Sequence, residues 1–414
     1  MISFKEMLTE DKAGKNLHLE HLEDEILNFG VDGGRAAINF LRSLRDMLAG
    51  GSRSSVNMTV KWDGAPAIFA GIDPEDDKFF VAKKSVFNVN PKLYKTEGEI
   101  DDDLSGTLNS KFKVALREFS KLGITGVLQG DLMFTDDLET STIDGGKYYT
   151  FQPNTIVYAA LVNSDIGRIL NKAKVGIVWH TTYKGTSLPD MKASFGANIS
   201  KLTKTSSVWM DDATYKDVSG KATFTEKETE SITAILSQTG KTFNKINGPK
   251  LRAFLELQES MTGTLAGASL KTYNNSKVRA GEKITNPAAH AKGYEKWVFA
   301  SIQKQIDKVK SDKGKKKYTD MQKEYAREIK KHTVNLVQVI AFQNLLVDAK
   351  SQIVNKLNSV KGLTDTFIRT GNGFKVTNPE GYVAIDKVSG DAVKLVDRME
   401  FSFNNFTAVK AWDK

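Results

Sequence analysis

The 414-residue sequence contains no cysteine, which excludes disulfide scaffolds, thiolate metal sites and cysteine nucleophiles together. No apolar run approaches the length of a membrane span, and Met1-Ile2-Ser3-Phe4-Lys5 does not open a secretory signal. The expectation is a soluble, cytoplasmic protein with no membrane partner. Internal repeats and low-complexity segments are also missing. Hydrophobic residues make up 40% of the chain, enough for real cores, and the length suits two or three globular units. Basic side chains outnumber acidic ones to give a net charge of +9, which suits a polyanionic partner such as nucleic acid or a nucleotide.

The hydrophobic pattern changes period along the chain. Residues 1–55 read as a helical segment, with a stripe through Ala37, Ile38, Leu41, Leu44 and Leu48 stopped by Gly50-Gly51. Residues 56–190 read as short strands, among them 58–62, 67–70, 79–82, 127–129 and 155–162, with one amphipathic helix near 109–121. Residues 191–365 read as a large helical insertion, with stretches at 225–238, 249–260, 293–310, 318–330 and 334–358. The last carries a stripe through Val334, Val337, Ile340, Ala341, Leu345 and Leu346. Strands return in 366–414, at 373–376, 382–386 and 392–396. The predicted class is α+β with antiparallel sheets: one domain, interrupted by helices.

The most informative stretch is Lys61-Trp62-Asp63-Gly64, after the alternation Met58-Thr59-Val60 and before Ala65-Pro66-Ala67-Ile68-Phe69. A lysine at a strand end, with a glycine turn behind it, suits covalent nucleotidyl transfer. The amine attacks an α-phosphate, the acid binds a polar group of the nucleotide, and glycine lets backbone approach. Further along come Gln129-Gly130-Asp131-Leu132, then Glu380-Gly381-Tyr382-Val383, then Val393-Lys394-Leu395, each in strand context.

In this order the motifs resemble the covalent nucleotidyltransferase superfamily of ATP-dependent RNA and DNA ligases and mRNA capping enzymes, closest to RNA ligases. The resemblance covers about 56–165 and 370–400. Lys61–Gly64 looks like the family's first motif, Gly130–Leu132 its third, Glu380–Val383 its fourth and Val393–Leu395 its fifth. The chain departs from the pattern in three ways. Asp131 stands where Glu is usual, Val396 where a second lysine is usual, and the fourth motif is displaced downstream. The chain also resembles a family of largely uncharacterised marine tailed-phage proteins, which would place it in the cytoplasm of an infected host cell.

The resemblance implies an antiparallel-sheet, ATP-grasp-like ligase domain and an ATP-dependent polynucleotide ligase. RNA is favoured over DNA, because residues 397–414 are too few for the oligonucleotide-binding barrel that DNA ligases place after the fifth motif. Lys61 would be the nucleophile, its pKa lowered by burial, a cation or a metal, and Lys394 would be that cation. Glu380 would hold Mg²⁺ or Mn²⁺. Asp131 would bind ribose hydroxyls, Asp63 and Gly64 would position nucleotide or metal, and Lys83 or Lys84 would contact phosphate. Tyr158 would stack on the purine. ATP is expected over GTP, although spacing does not separate them. The alternatives are a DNA ligase, another adenylyltransferase, or a non-catalytic nucleic-acid-binding protein on a ligase scaffold.

Four other features compete for attention. Gln238-Thr239-Gly240-Lys241-Thr242 resembles the end of a phosphate-binding loop, but Ile235 occupies the place of its first glycine, so a helix-ending turn is expected. Glu97-Gly98-Glu99 reads as an acidic surface loop. His18, Glu20 and His21 read as a solvent-facing helix rather than a metal site, since no third ligand has suitable spacing. The run Lys308–Tyr318, the strongest basic cluster, fits a nucleic-acid contact and equally a solvated loop between helices.

Overall fold

The N-terminal stripe folds as α1 (Glu25–Leu48), entered through a 3₁₀ turn at Leu22–Asp24 and broken at Phe29–Gly30. It belongs to a computed structural model that describes residues 21–50, 56–88, 90–214, 223–262, 269–359, 364–370, 373–386 and 392–399. His18 and Glu20 lie outside the described residues. Next come β1 (Val56–Lys61), β2 (Ala67–Ile72), β3 (Phe79–Ala82), α2 (Glu97–Asp103) and α3 (Gly106–Phe119). Strands β4 (Val127–Phe134), β5 (Glu139–Ile143), β6 (Gly146–Phe151) and β7 (Ile156–Leu161) follow. After α4 (Asp165–Leu170) come β8 (Val175–Lys184), β9 (Lys192–Phe195) and β10 (Val208–Asp211). The helical part is α5 (Glu226–Phe243), α6 (Gly248–Thr262), α7 (Leu270–Arg279), α8 (Pro287–Lys308) and α9 (Asp312–Asn358). The chain then returns to strands, β11 (Asp365–Thr370), β12 (Gly373–Val376), β13 (Gly381–Asp386) and β14 (Ala392–Leu395).

These strands make three sheets, ordered β1-β13-β14, β10-β8-β4-β2-β3 with β9 on β8, and β12-β11-β7-β6-β5. Their pairings are antiparallel except β8 with β10. The class is therefore α+β. Two sheets join strands from either side of the helical part, through β1 with β13 and β7 with β11. Alternation explains how the sheets pack. One face of the six-stranded sheet, including Ile68, Leu128, Ile177 and Trp179, covers Phe112, Ala115, Leu116 and Phe119 of α3. Each buried phenylalanine there contributes about 1.5–3 kcal/mol.

Helix α1 does not stand apart from the insertion. Ile26, Leu41 and Leu44 share one core with Leu236, Leu251, Val298, Ile340 and Leu346, and with Met58, Tyr382, Ala384 and Leu395 of the three-stranded sheet. Several expectations are corrected. Strands β9 and β10 carry the sheet beyond residue 190, so the helical part starts at Glu226 rather than 191. The stretches 318–330 and 334–358 are one 47-residue helix. On it Val334 is 79% exposed, while Leu336, Val339, Ile340 and Leu346 are buried. That face has the same helical period in a different phase, and packing against the neighbouring helices selects it.

Glu97-Gly98-Glu99 is the first turn of α2 rather than a loop. Thr96 Oγ1 accepts from the Glu99 N–H, and the Glu99 carboxylate accepts from the Thr96 N–H, a capping box. Residues 238–242 lie within the last turns of α5. No helix among the described residues is long and apolar enough to cross a membrane.

Candidate functional site

The three-stranded sheet brings together residues more than 300 positions apart. Its register sets Lys61 opposite Gly381, Thr59 opposite Val383, and Val383 opposite Lys394. Period-two alternation then divides the sheet into two faces. Met58, Tyr382, Ala384 and Leu395 face the helical core. Thr59, Lys61, Val383 and Lys394 face a cavity of about 430 Å³. Glu380, just before β13 and only 5% exposed, accepts a hydrogen bond from Lys61 Nζ through Oε2, and its Oε1 lies 3.7 Å from Lys394 Nζ. Gly381 makes this possible. At its φ of +150°, an added Cβ would lie 2.5 Å from the Leu395 carbonyl, so only glycine lets β14 approach here.

The opposite wall is the second face of the six-stranded sheet. Ala67 and Phe69 of β2, Gln129 and Asp131 of β4, and Val178, His180 and Thr181 of β8 line it, with Phe195 of β9 and Lys84 at its border. Register places Ala67 opposite Asp131, and Asp131 opposite Val178. Between Gln129 and Gly130 the pairing slips, because Gln129 faces Thr181 while Gly130 faces Trp179. His180 is the extra residue of that bulge, and the bulge turns its ring into the cavity. Its Nε2 lies 3.7 Å from Asp131 Oδ1, and its Nδ1 is 2.8 Å from Thr181 Oγ1. Ala213, also on the wall, has a φ of +59°, costly for a residue with a Cβ. Its carbonyl accepts from Val60 N–H at 2.7 Å, which ties it to β1.

The structure therefore gathers Lys61, Lys84, Asp131 and Lys394 around one cavity, with Glu380 held against the two lysines of the three-stranded sheet rather than on the cavity wall. Lys83 instead points to Asp103, at 2.9 Å. Three expected ligand contacts are corrected. Asp63 is buried, and its carboxylate accepts from Asn154 Nδ2 at 2.7 Å, Thr155 N–H at 2.7 Å and Ile156 N–H at 2.9 Å. It holds the turn before β7 rather than facing the cavity. Tyr158 is a core residue, packed on Phe151 and Trp62, and its hydroxyl accepts from the Asp63 N–H at 2.6 Å. Gly64 serves by close approach: an added Cβ would lie 2.4 Å from Asp131 Cβ. Sequence reasoning missed His180, Phe195 and Thr181. The only signal for His180 is a titratable residue directly after the apolar run Val175–Trp179.

The charges at the site oppose one another. Burial disfavours the Lys61 ammonium, but Glu380, then Asp131 and Asp63, outweigh burial and raise its pKa above the usual lysine value. The expected lowering is thereby corrected, because the nearest neighbour is a carboxylate and not a cation. Burial, then Lys61, lowers Lys394, with Glu380 opposing in part. Burial pushes Glu380 up, while both lysines pull it back.

Strand β14 is braced from behind. His21 makes a parallel bridge to Lys394, so it belongs to no solvent-facing helix, and burial holds its ring well below the usual histidine pKa. Nearby, Lys350 pairs with Glu23 at 2.6 Å and Arg398 with Asp24 at 2.9 Å.

No group of three His, Asp or Glu side chains is placed to hold a metal among the described residues. Both oxygens of Glu380 face lysines. A resident metal does not fit this donor set, whereas a magnesium ion carried by phosphates, with one carboxylate and waters, does. A nucleotide also fits: the cavity is large enough and carries three lysines. Trp62 on its wall has an indole N–H with no hydrogen-bond partner among the described residues.

The fold and cavity define an α+β protein in which a sheet closed across a helical insertion carries a Lys–Glu–Lys cluster. The chain belongs to a family of unknown function (DUF6267), whose model matches residues 16–410. No curated protein and no solved structure matches it.

Proposed function

We propose that the protein is an ATP-dependent polynucleotide ligase on a nucleotidyltransferase fold, working through a lysine–AMP intermediate, with RNA the first acceptor to test. The observation that carries this reading is that Lys61 and Lys394, on one face of the sheet, face Asp131 and Lys84 across the cavity, with Glu380 held between the two lysines. In the first step the Lys61 amine attacks the α-phosphorus of ATP, a P–N bond forms, and the P–O bond to pyrophosphate breaks. The amine must first lose a proton, and Glu380 Oε2, already hydrogen-bonded to it, is the acceptor in place. Lys394 and Lys84 bind phosphate oxygens from the two walls, and Asp131 binds ribose hydroxyls with His180 beside it. The base lies against Phe69 and Phe195. Magnesium, arriving with the triphosphate, would neutralise charge on the transferring group. AMP then passes to a 5′-phosphate end, and a 3′-hydroxyl displaces it to seal the strand. Positioning and charge neutralisation supply most of the acceleration in such transfers.

Intact mass after incubation with ATP and Mg²⁺, beside Lys61→Ala, tests the proposal. One AMP adduct on the wild type alone is expected. The reading fails if no adduct forms with ATP or GTP on protein first treated with pyrophosphate and desalted. A protonated Lys61 locked to Glu380 would then favour the non-catalytic nucleic-acid-binding reading.

A further inference from the structure

The turn between α8 and α9 holds a concentration of charge that the cavity does not explain. Lys308, Lys310, Lys313, Lys315, Lys316 and Lys317 stand there against Asp312 alone, so ten residues carry more than half of the chain's net +9. All six lysines are exposed. No ion pair to any of them is found among the described residues, whereas further along α9 Lys331 and Arg327 are paired with Glu328. Uncompensated charge at this density costs self-repulsion and adds nothing to the core. Among the described residues nothing compensates the charge of the tip.

Its position is fixed by α9, which runs unbroken from Asp312 to Asn358. Near its other end Lys350 contacts Glu23, two residues from the His21 bridge to Lys394. Lys316 and Lys350 are separated by about 50 Å at 1.5 Å per residue. A rigid polyanion touching both the cavity region and the tip needs roughly 15 base pairs at about 3.4 Å each.

We propose that the α8–α9 tip is a second, remote contact for the sugar–phosphate backbone of a nucleic-acid duplex whose end lies at the cavity, so that binding depends on duplex length. The inference rests on the nucleic-acid part of the proposed function. Lysine suits the role, because its ammonium is a hydrated point charge that matches repeating phosphates without reading bases. An acidic protein surface would not impose a length threshold.

The test is fluorescence anisotropy with RNA and DNA duplexes of about 8 and about 24 base pairs, on wild type and on Lys313→Ala/Lys315→Ala/Lys316→Ala/Lys317→Ala. The wild type is expected to bind the longer duplex at least about tenfold more tightly. The quadruple alanine variant should lose that preference, with its salt dependence reduced by about 3–4 in log–log slope, and arginine at the same four positions should restore it. Unchanged circular dichroism and Tm would show that the variant is folded. Equal affinity of wild type and alanine variant for the longer duplex would overturn the inference. AMP-adduct formation, measured on both proteins, separates the two readings. Length-dependent binding without any adduct leaves the tip standing and removes the ligase; an adduct without length dependence does the reverse.

Discussion

Replacing Asp63 separates a structural acid from a catalytic one. Its carboxylate is buried and accepts three hydrogen bonds, from the Asn154 side chain and from the N–H groups of Thr155 and Ile156. Asp63→Ala removes the acceptor for all three, and a buried group left without its partner costs about 1–3 kcal/mol, so the sum is about 3–9 kcal/mol. Asp63→Asn behaves differently. Its amide oxygen can take the place of Oδ2 and keep both backbone donors. Its new NH₂ then meets Asn154, whose Oδ1 has no partner among the described residues, so a rotated Asn154 amide would accept from it. What is lost is mainly charge assistance, about 1–2 kcal/mol. Urea unfolding followed by tryptophan emission reads this directly, since Trp62 adjoins Asp63 and packs on Tyr158 and Trp209. An Asp63→Ala protein within about 1 kcal/mol of wild type would refute the structural assignment. Where the wild type forms the AMP adduct, an Asp63→Asn protein of native stability that forms none would refute it too, because the carboxylate would then act on the nucleotide.

Two further perturbations probe the helical part. Lys350→Met leaves Glu23 buried, with Arg398 at 3.6 Å as its remaining ion-pair partner among the described residues, and should cost about 3–5 kcal/mol in urea unfolding; adding Glu23→Gln should recover much of it, and additive losses would contradict a direct pair. Burial, with Lys277 assisting, lowers His290 to about 4; its neutral ring contacts Asn274 Oδ1 at 2.7 Å and stacks on Tyr273. Its folded pKa lies below the unfolded value of about 6.5, so the unfolded chain binds the proton first and stability falls as pH drops from about 6.5 towards 4. His290→Gln should flatten that part of the Tm–pH curve, and an unaltered curve would remove His290 as the cause.

What could be read from the sequence follows from which forces are local. Strands at Phe79–Ala82 and Gly373–Val376 fall on the expected residues, because short apolar or alternating runs between turn residues specify them without help. Register is not local. Nothing near Lys61 states that it will pair with Gly381, and the bulge that turns His180 inward depends on how β4 and β8 slip past each other. The resemblance places Tyr158 at the nucleotide, and the run Ile156-Val157-Tyr158-Ala159 is apolar throughout. A strand buried on both faces carries no periodic signal for which face meets a ligand. Asp63 has the same difficulty in another form: an acid beside a strand-end lysine reads as a ligand until its partners, some ninety residues away, are in view.

The division of labour within the three-stranded sheet bears on why its charges are there at all. Its apolar face, with Met58, Tyr382, Ala384 and Leu395, joins the sheet to the helical core and already accounts for its packing. The other face places one nearly buried carboxylate between two lysines. Desolvating three charges costs several kcal/mol each before their attraction offsets it, and apolar residues of similar volume commonly pack as well or better. Stability therefore does not require Lys61, Glu380 and Lys394. Nor does β-sheet pairing, since the backbone register would hold with other side chains. A charged cluster that the fold does not need, beside a cavity lined by a bulged histidine, an aspartate and a third lysine, is what the proposed nucleotide chemistry would require there.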